Sequence, residues 1–64
     1  MNMVPYTCTK TTEIKIKGHT ARMEPEDRCF FTRDLKGIYA FDGLGGISMY
    51  PLVEELDKTA WTKN

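Results

Sequence analysis

Residues 37–51 read Gly-Ile-Tyr-Ala-Phe-Asp-Gly-Leu-Gly-Gly-Ile-Ser-Met-Tyr-Pro, two short apolar runs joined by a glycine-rich turn. The linking residues Asp42-Gly43-Leu44-Gly45-Gly46 tolerate positive φ, so the runs 38–41 and 47–50 are expected to fold back on each other as a hairpin with a five-residue loop. Successive strand residues point to opposite faces. On the first run Tyr39 and Phe41 share one face and Ile38 and Ala40 the other; on the second, Ser48 and Tyr50 share one and Ile47 and Met49 the other. With the aliphatic set inward, Tyr39, Phe41 and Tyr50 lie together outside. With the aromatics inward, Ile38, Ile47 and Met49 are outside. Either way an apolar patch is left over, unless another element covers it.

The length of the chain sharpens that surplus. Sixty-four residues make a single small domain, residues 1–64, with room for one core. Domains this small bury only about 60% of their unfolded surface. Yet 41% hydrophobic and 28% charged residues are proportions of a folded domain, too apolar for a disordered one. Nine basic residues balance nine acidic ones, which argues against general attraction to nucleic acid or to a membrane surface. The balance is uneven along the chain: seven basic against five acidic residues up to Lys36, then two against four.

Upstream of the hairpin, Thr11, Glu13, Lys15 and Lys17 alternate with Thr12, Ile14 and Ile16, the period of a half-buried strand. Gly18 ends it. Residues 19–23 are expected as a short second strand and residues 28–33 as a third. Between them Glu24-Pro25-Glu26-Asp27 reads as a polar turn or one helical turn. Pro51 stops the last strand and can open a helix. Leu52, Val53, Leu56 and Ala60 then make one apolar stripe, with Glu54 and Glu55 near the positive end and Lys58 near the other, which predicts a helix over 52–59. Trp61 is expected to fold back onto the sheet. The fold class is therefore mainly β or α+β: a small antiparallel sheet or SH3-like barrel of four to five short strands with one short C-terminal helix.

Chemistry-bearing patterns are sparse. Gly43-Leu44-Gly45-Gly46 lacks the downstream chain a dinucleotide-binding unit requires, since Pro51 follows within five residues and the chain ends soon after. Cys8, His19 and Cys29 lie about ten residues apart, without the close ligand pairs of zinc sites. Cys29 beside Phe30 and Phe31 reads as a packed thiol and not as a nucleophile. No catalytic residue, metal or cofactor is expected, and the chain is not read as an enzyme. Residues 1–6 carry no cationic start followed by an apolar run, and no stretch reaches the ~20 apolar residues of a membrane span, which predicts a cytoplasmic protein with no membrane partner and free thiols.

Function is expected to lie in binding. The leading expectation is a non-catalytic interaction module, a small regulator or inhibitor that holds a protein partner through the apolar hairpin surface. Its expected contact residues are Tyr39, Phe41, Tyr50, Trp61 and Arg33. A second copy of the chain is a candidate partner, because a homodimer would account for the apolar surplus and the small core together. The alternative is a nucleic-acid-binding small β-barrel using Lys15, Lys17 and Arg22.

Overall fold

β-Branched and aromatic residues in short runs, each closed by glycine, proline or a polar turn, favour strands over any other element. In the computed structural model, which describes residues 3–64, seven strands follow one another. They are β1 (Val4–Cys8), β2 (Thr12–Ile16), β3 (His19–Met23), β4 (Arg28–Phe31), β5 (Gly37–Phe41), β6 (Ile47–Pro51) and β7 (Trp61–Lys63). Five of them form one antiparallel sheet in the order β6-β5-β4-β1-β7, and β2 and β3 form a separate hairpin. That hairpin is tied to the end of β6 by an Ile16–Leu52 bridge and a hydrogen bond from Val53 N–H to the Lys15 carbonyl (3.0 Å).

Directly paired residues share a face of a sheet, so the register sorts the side chains. Tyr6 pairs with Cys29, Phe31 with Ile38, Ile38 with Tyr50 and Cys8 with Trp61, which gathers these residues on one inner face. Cys8, Phe31, Ile38 and Trp61 are buried there, with Ile14 of the β2–β3 hairpin and Leu56 and Ala60 from the C-terminal segment packed over them. Phe31 is the centre. It meets Trp61 edge-on at 5.0 Å between ring centroids and Tyr6 at 5.6 Å. Such contacts add about 0.5–1.5 kcal/mol to the burial of each ring.

Three expectations change. First, β1 and β7 were not expected; they flank each other in the sheet, and Trp61 does fold back, opposite Cys8. Second, no barrel is closed: β6 and β7 remain edges of an open sheet. Third, the helix expected over 52–59 does not form, and among the described residues there is no helix. The reason lies in competing partners. Leu52 bridges Ile16, and its N–H donates to the Lys36 carbonyl (2.8 Å) while Val53 N–H donates to Lys15; a helix leaves its first N–H groups free, but here strands on both sides hold the start of the segment extended. What remains is too short to repay the cost of helix nucleation. It closes instead as one tight turn, Ala60 N–H to the Asp57 carbonyl (3.0 Å), with the Asp57 carboxylate accepting from Thr59 N–H and Oγ. The stripe is still half used: Leu56 and Ala60 are buried, whereas Val53 is exposed.

Candidate protein-binding face

The opposite side of the five-stranded sheet is where apolar surface is left over. Phe30 pairs with Tyr39, Tyr39 with Met49 and Phe41 with Ile47, so these five side chains occupy one face across β4, β5 and β6. Phe41 is 78% exposed, Met49 48%, Ile47 45% and Phe30 44%; Tyr39 is half-buried among them. No β2–β3 hairpin and no C-terminal segment crosses this side; both lie on the inner face. On β1 the same face carries Pro5 opposite Phe30 and then turns polar, through Thr7 opposite Arg28 and Thr62 opposite Thr7. The apolar area is thus bounded and contiguous, the pattern that marks interaction surfaces.

The hairpin loop extends this face with a fixed shape. Asp42 Oδ1 accepts from Leu44 N–H (2.8 Å) and Gly46 N–H (3.2 Å), and Asp42 N–H donates to the Gly46 carbonyl (3.1 Å). Gly43 and Gly45 take φ of 85° and 86°, which only glycine adopts without cost. Leu44 rides at the tip, 93% exposed, next in space to nothing that buries it. An apolar side chain held out by a locked loop is surplus to folding.

Beside the face the sheet opens. The β4–β5 ladder pairs only Phe30 with Tyr39 and Phe31 with Ile38, leaving Arg28, Cys29, Ala40 and Phe41 without cross-strand partners between these two strands. A cleft of about 350 Å³ lies there, lined by Met3, Met23, Cys29, Phe30, Phe41 and Ile47 among others. That volume is at the small end of ligand-sized sites, enough for one or two inserted side chains.

Charge at the margin is cationic. Arg28 stands on the outer face. Arg33 is exposed in the turn after β4 and shares a shallow hollow with Thr32, Asp34 and Tyr39. The turn is braced by Asp34, whose carboxylate accepts from Thr32 Oγ (2.6 Å) and Lys36 N–H (3.1 Å). The Thr32 hydroxyl first, then the Lys36 amide and charge, hold Asp34 below the usual carboxylate range. The ion pairs of the described residues are Lys10–Asp57, Lys15–Glu54 and Arg22–Glu24, so neither Arg28 nor Arg33 is paired within them.

The structure therefore divides the contact residues expected from sequence. Tyr39, Phe41 and Arg33 come together on the outer side. Tyr50 and Trp61 do not join them: Tyr50 pairs with buried Ile38 and packs on the core, and Trp61 is buried at the first position of β7. The Trp61 indole N–H finds no acceptor there. In their place stand Ile47 and Met49, expected on the face opposite the aromatics, with Phe30 and Leu44.

The other candidate groups are dispersed. Lys15 and Arg22 share the outward side of the β2–β3 hairpin, since Lys15 pairs with Thr20 and Arg22 with Glu13, whereas Lys17 lies in the turn between the strands and His19 pairs with Ile16 on the other side. Two of the three cations are occupied, Lys15 Nζ by Glu54 (3.5 Å) and Arg22 Nε by Glu24 (2.7 Å). Cys8 and Cys29 are free thiols. Burial, aided by Asp27 and Cys8, pushes the Cys29 thiol up to about 11, so it stays protonated and poorly nucleophilic near neutrality. Among the described residues no group of three or more His, Cys, Asp or Glu side chains could hold a metal ion. No helix of the described residues is long and apolar enough to cross a membrane. Comparison with known protein families, curated proteins and solved structures finds no match for this chain.

Proposed function

We propose that this protein is a non-catalytic interaction module, a small regulator or inhibitor that binds a protein partner through the outer face of β4, β5 and β6. One observation carries the reading: Phe30, Tyr39, Phe41, Ile47 and Met49 form a contiguous apolar face that no other part of the described chain covers. Phe41 and Leu44 are the anchors, being the most exposed. Arg28 and Arg33, unpaired at the margin, suit a partner that surrounds its own apolar side chains with carboxylates. Two free thiols, one fully buried, suit a reducing compartment, and we place the protein in the cytoplasm.

Affinity capture from cells with the wild-type protein and with Phe41→Ser tests this. Truncating a central anchor typically costs 2 kcal/mol or more of binding, about thirtyfold in Kd. Capture of a specific protein by the wild type and its loss with Phe41→Ser, at an unchanged circular dichroism spectrum, supports the reading. Equal capture by both refutes it.

A nucleic-acid reading retains one favourable observation, the common face of Lys15 and Arg22 beside the turn that carries Lys17. Two of these cations are already paired, which leaves little charge to release counterions from a phosphate backbone. Titration with single-stranded and duplex oligonucleotides at low salt decides it: salt-sensitive micromolar binding would favour it over the protein partner.

A further inference from the structure

We infer that β6 is a self-pairing edge, and that two copies of this chain join β6 to β6 about a two-fold axis through Ser48. The inference rests on the proposed binding role of the outer face and names one occupant of its open edge. The hydrogen-bond pattern at both ends of the β5–β6 pair sets the phase. Asp42 N–H bonds Gly46, and Leu52 N–H bonds Lys36, with the ladder register Phe41–Ile47 to Gly37–Pro51 between them. Bonded and non-bonded pairs alternate in an antiparallel ladder. Ser48 and Tyr50 therefore turn their backbone groups inward to β5, while Ile47, Met49 and Pro51 turn theirs outward. Ile47 and Met49 each present one N–H and one C=O to the free edge; Pro51 has no N–H, and beyond it the same edge is taken by β2, where Val53 N–H bonds Lys15, so the pairing surface ends there.

Edges are normally guarded by charge. The other free edges follow that rule: β3 carries Arg22 and β7 carries Lys63. The sequence of β6, Ile-Ser-Met-Tyr-Pro, carries none. One antiparallel register pairs both free groups of Ile47 and both of Met49. Ile47 opposite Met49 of the second copy, and the reverse, makes four hydrogen bonds and sets Ser48 opposite Ser48. A register centred on Met49 would set Ile47 opposite Pro51 and waste a carbonyl. The outer-face side chains of Ile47 and Met49 then meet their counterparts across the axis, so the two apolar faces become one. The chain's zero net charge adds no repulsion. A stable interface needs about 800 Å² per partner, a sixth of the 4644 Å² surface of this molecule. A five-residue strand with two half-exposed apolar side chains supplies less than that, so the dimer is weak, reversible and in the micromolar range.

Sedimentation velocity on the full chain, from micromolar to millimolar concentration, reads the equilibrium. A monomer–dimer transition is expected. Met49→Pro removes an outward N–H that bonds nothing within the chain, and with it two of the four bonds at the interface. It is expected to raise the dimer Kd tenfold or more while the circular dichroism spectrum stays native. In Ser48→Cys the two thiols sit across a non-hydrogen-bonded pair, with Cα atoms about 4.5 Å apart, within disulfide reach. Mild oxidation is expected to link residue 48 to residue 48, identified by mass spectrometry against the background of Cys29. A protein that stays monomeric at millimolar concentration overturns the pairing. So does a dimer indifferent to Met49→Pro that fails to cross-link through position 48. In either case loss of capture by Phe41→Ser still upholds the outer face as a partner site, and retained capture refutes that separately.

Discussion

Single residues show where local chemistry and fold agree and where they conflict. Glu26 and Leu35 both take positive φ, 82° and 60°, at positions where an L side chain costs about 1–2 kcal/mol. Glycine would relieve both, but the surroundings differ. Glu26 is exposed and its side chain makes no hydrogen bond among the described residues, so Glu26→Gly is expected to raise stability by about 0.5–1 kcal/mol after the added freedom of the unfolded chain is counted. Leu35 packs on the core, and losing that contact outweighs the relief, so Leu35→Gly is expected to lower stability. Urea unfolding of both variants shows the opposite signs, or it does not. Two carboxylates make the protein sensitive to acid. Asp34, bonded by Thr32 and Lys36, and Asp57, bonded by Thr59 and near Lys10, both titrate below the ordinary 3.8. A lowered native value means stability that is present above pH 3.8 and drains away as the pH falls through the native pKa. Asp34→Asn with Asp57→Asn is expected to flatten that acid limb of a stability–pH profile, leaving the neutral range little changed in slope.

At the scale of elements, the β5–β6 hairpin is the best case of legibility. Its two strands and its loop were readable from the glycines and the apolar runs. The expected grouping of aromatics on one face and aliphatics on the other fails, because it conflicts with the register that a five-residue loop imposes. A loop of five residues pairs residue numbers of like parity, Phe41 with Ile47 and Tyr39 with Met49. That mixes the aromatic set with the aliphatic one on each face and sends Tyr50 to the core with Ile38, where composition had suggested two uniform faces. Asp42 sets this loop, and Asp42→Ala, which strips Leu44 and Gly46 of their acceptor, is expected to cost about 1–2 kcal/mol and to speed amide exchange at those two residues. The C-terminal segment is the contrary case. Its helical stripe is real in sequence, but Leu52 and Val53 bond Lys36 and Lys15, contacts between residues far apart in the chain that no local pattern displays. Strands β1 and β7 are illegible in the sequence for a related reason. Val-Pro-Tyr-Thr-Cys has no clear alternation and Trp-Thr-Lys is only three residues; β1 becomes a strand between β4 and β7, and β7 by having β1 beside it.

The whole molecule is a sheet with one face used twice over and the other left open. Its inner face holds Phe31, Trp61, Cys8 and Ile38 under a hairpin and a C-terminal plug, and stability resides there. Its outer face keeps Phe30, Tyr39, Phe41, Ile47 and Met49 with none of the described hairpin or C-terminal residues above them, and on this side lies the proposed work of the protein. Sequence placed the surplus in the right hairpin but could not say which side the third layer would choose, because that choice depends on how β2–β3 docks through Ile16 and Leu52. The central claim is that the outer face is spare to the fold. Urea unfolding of the cross-strand pair Phe41→Ser with Ile47→Ser tests it most directly. An exposed cross-strand pair contributes about 0.2–1 kcal/mol, whereas truncating a buried aromatic side chain costs about 3–5 kcal/mol. A loss of about 1 kcal/mol, with a native spectrum, is the expected result; a loss of about 3 kcal/mol or more, or a chain that no longer folds, would show that these side chains belong to the core and would contradict the claim.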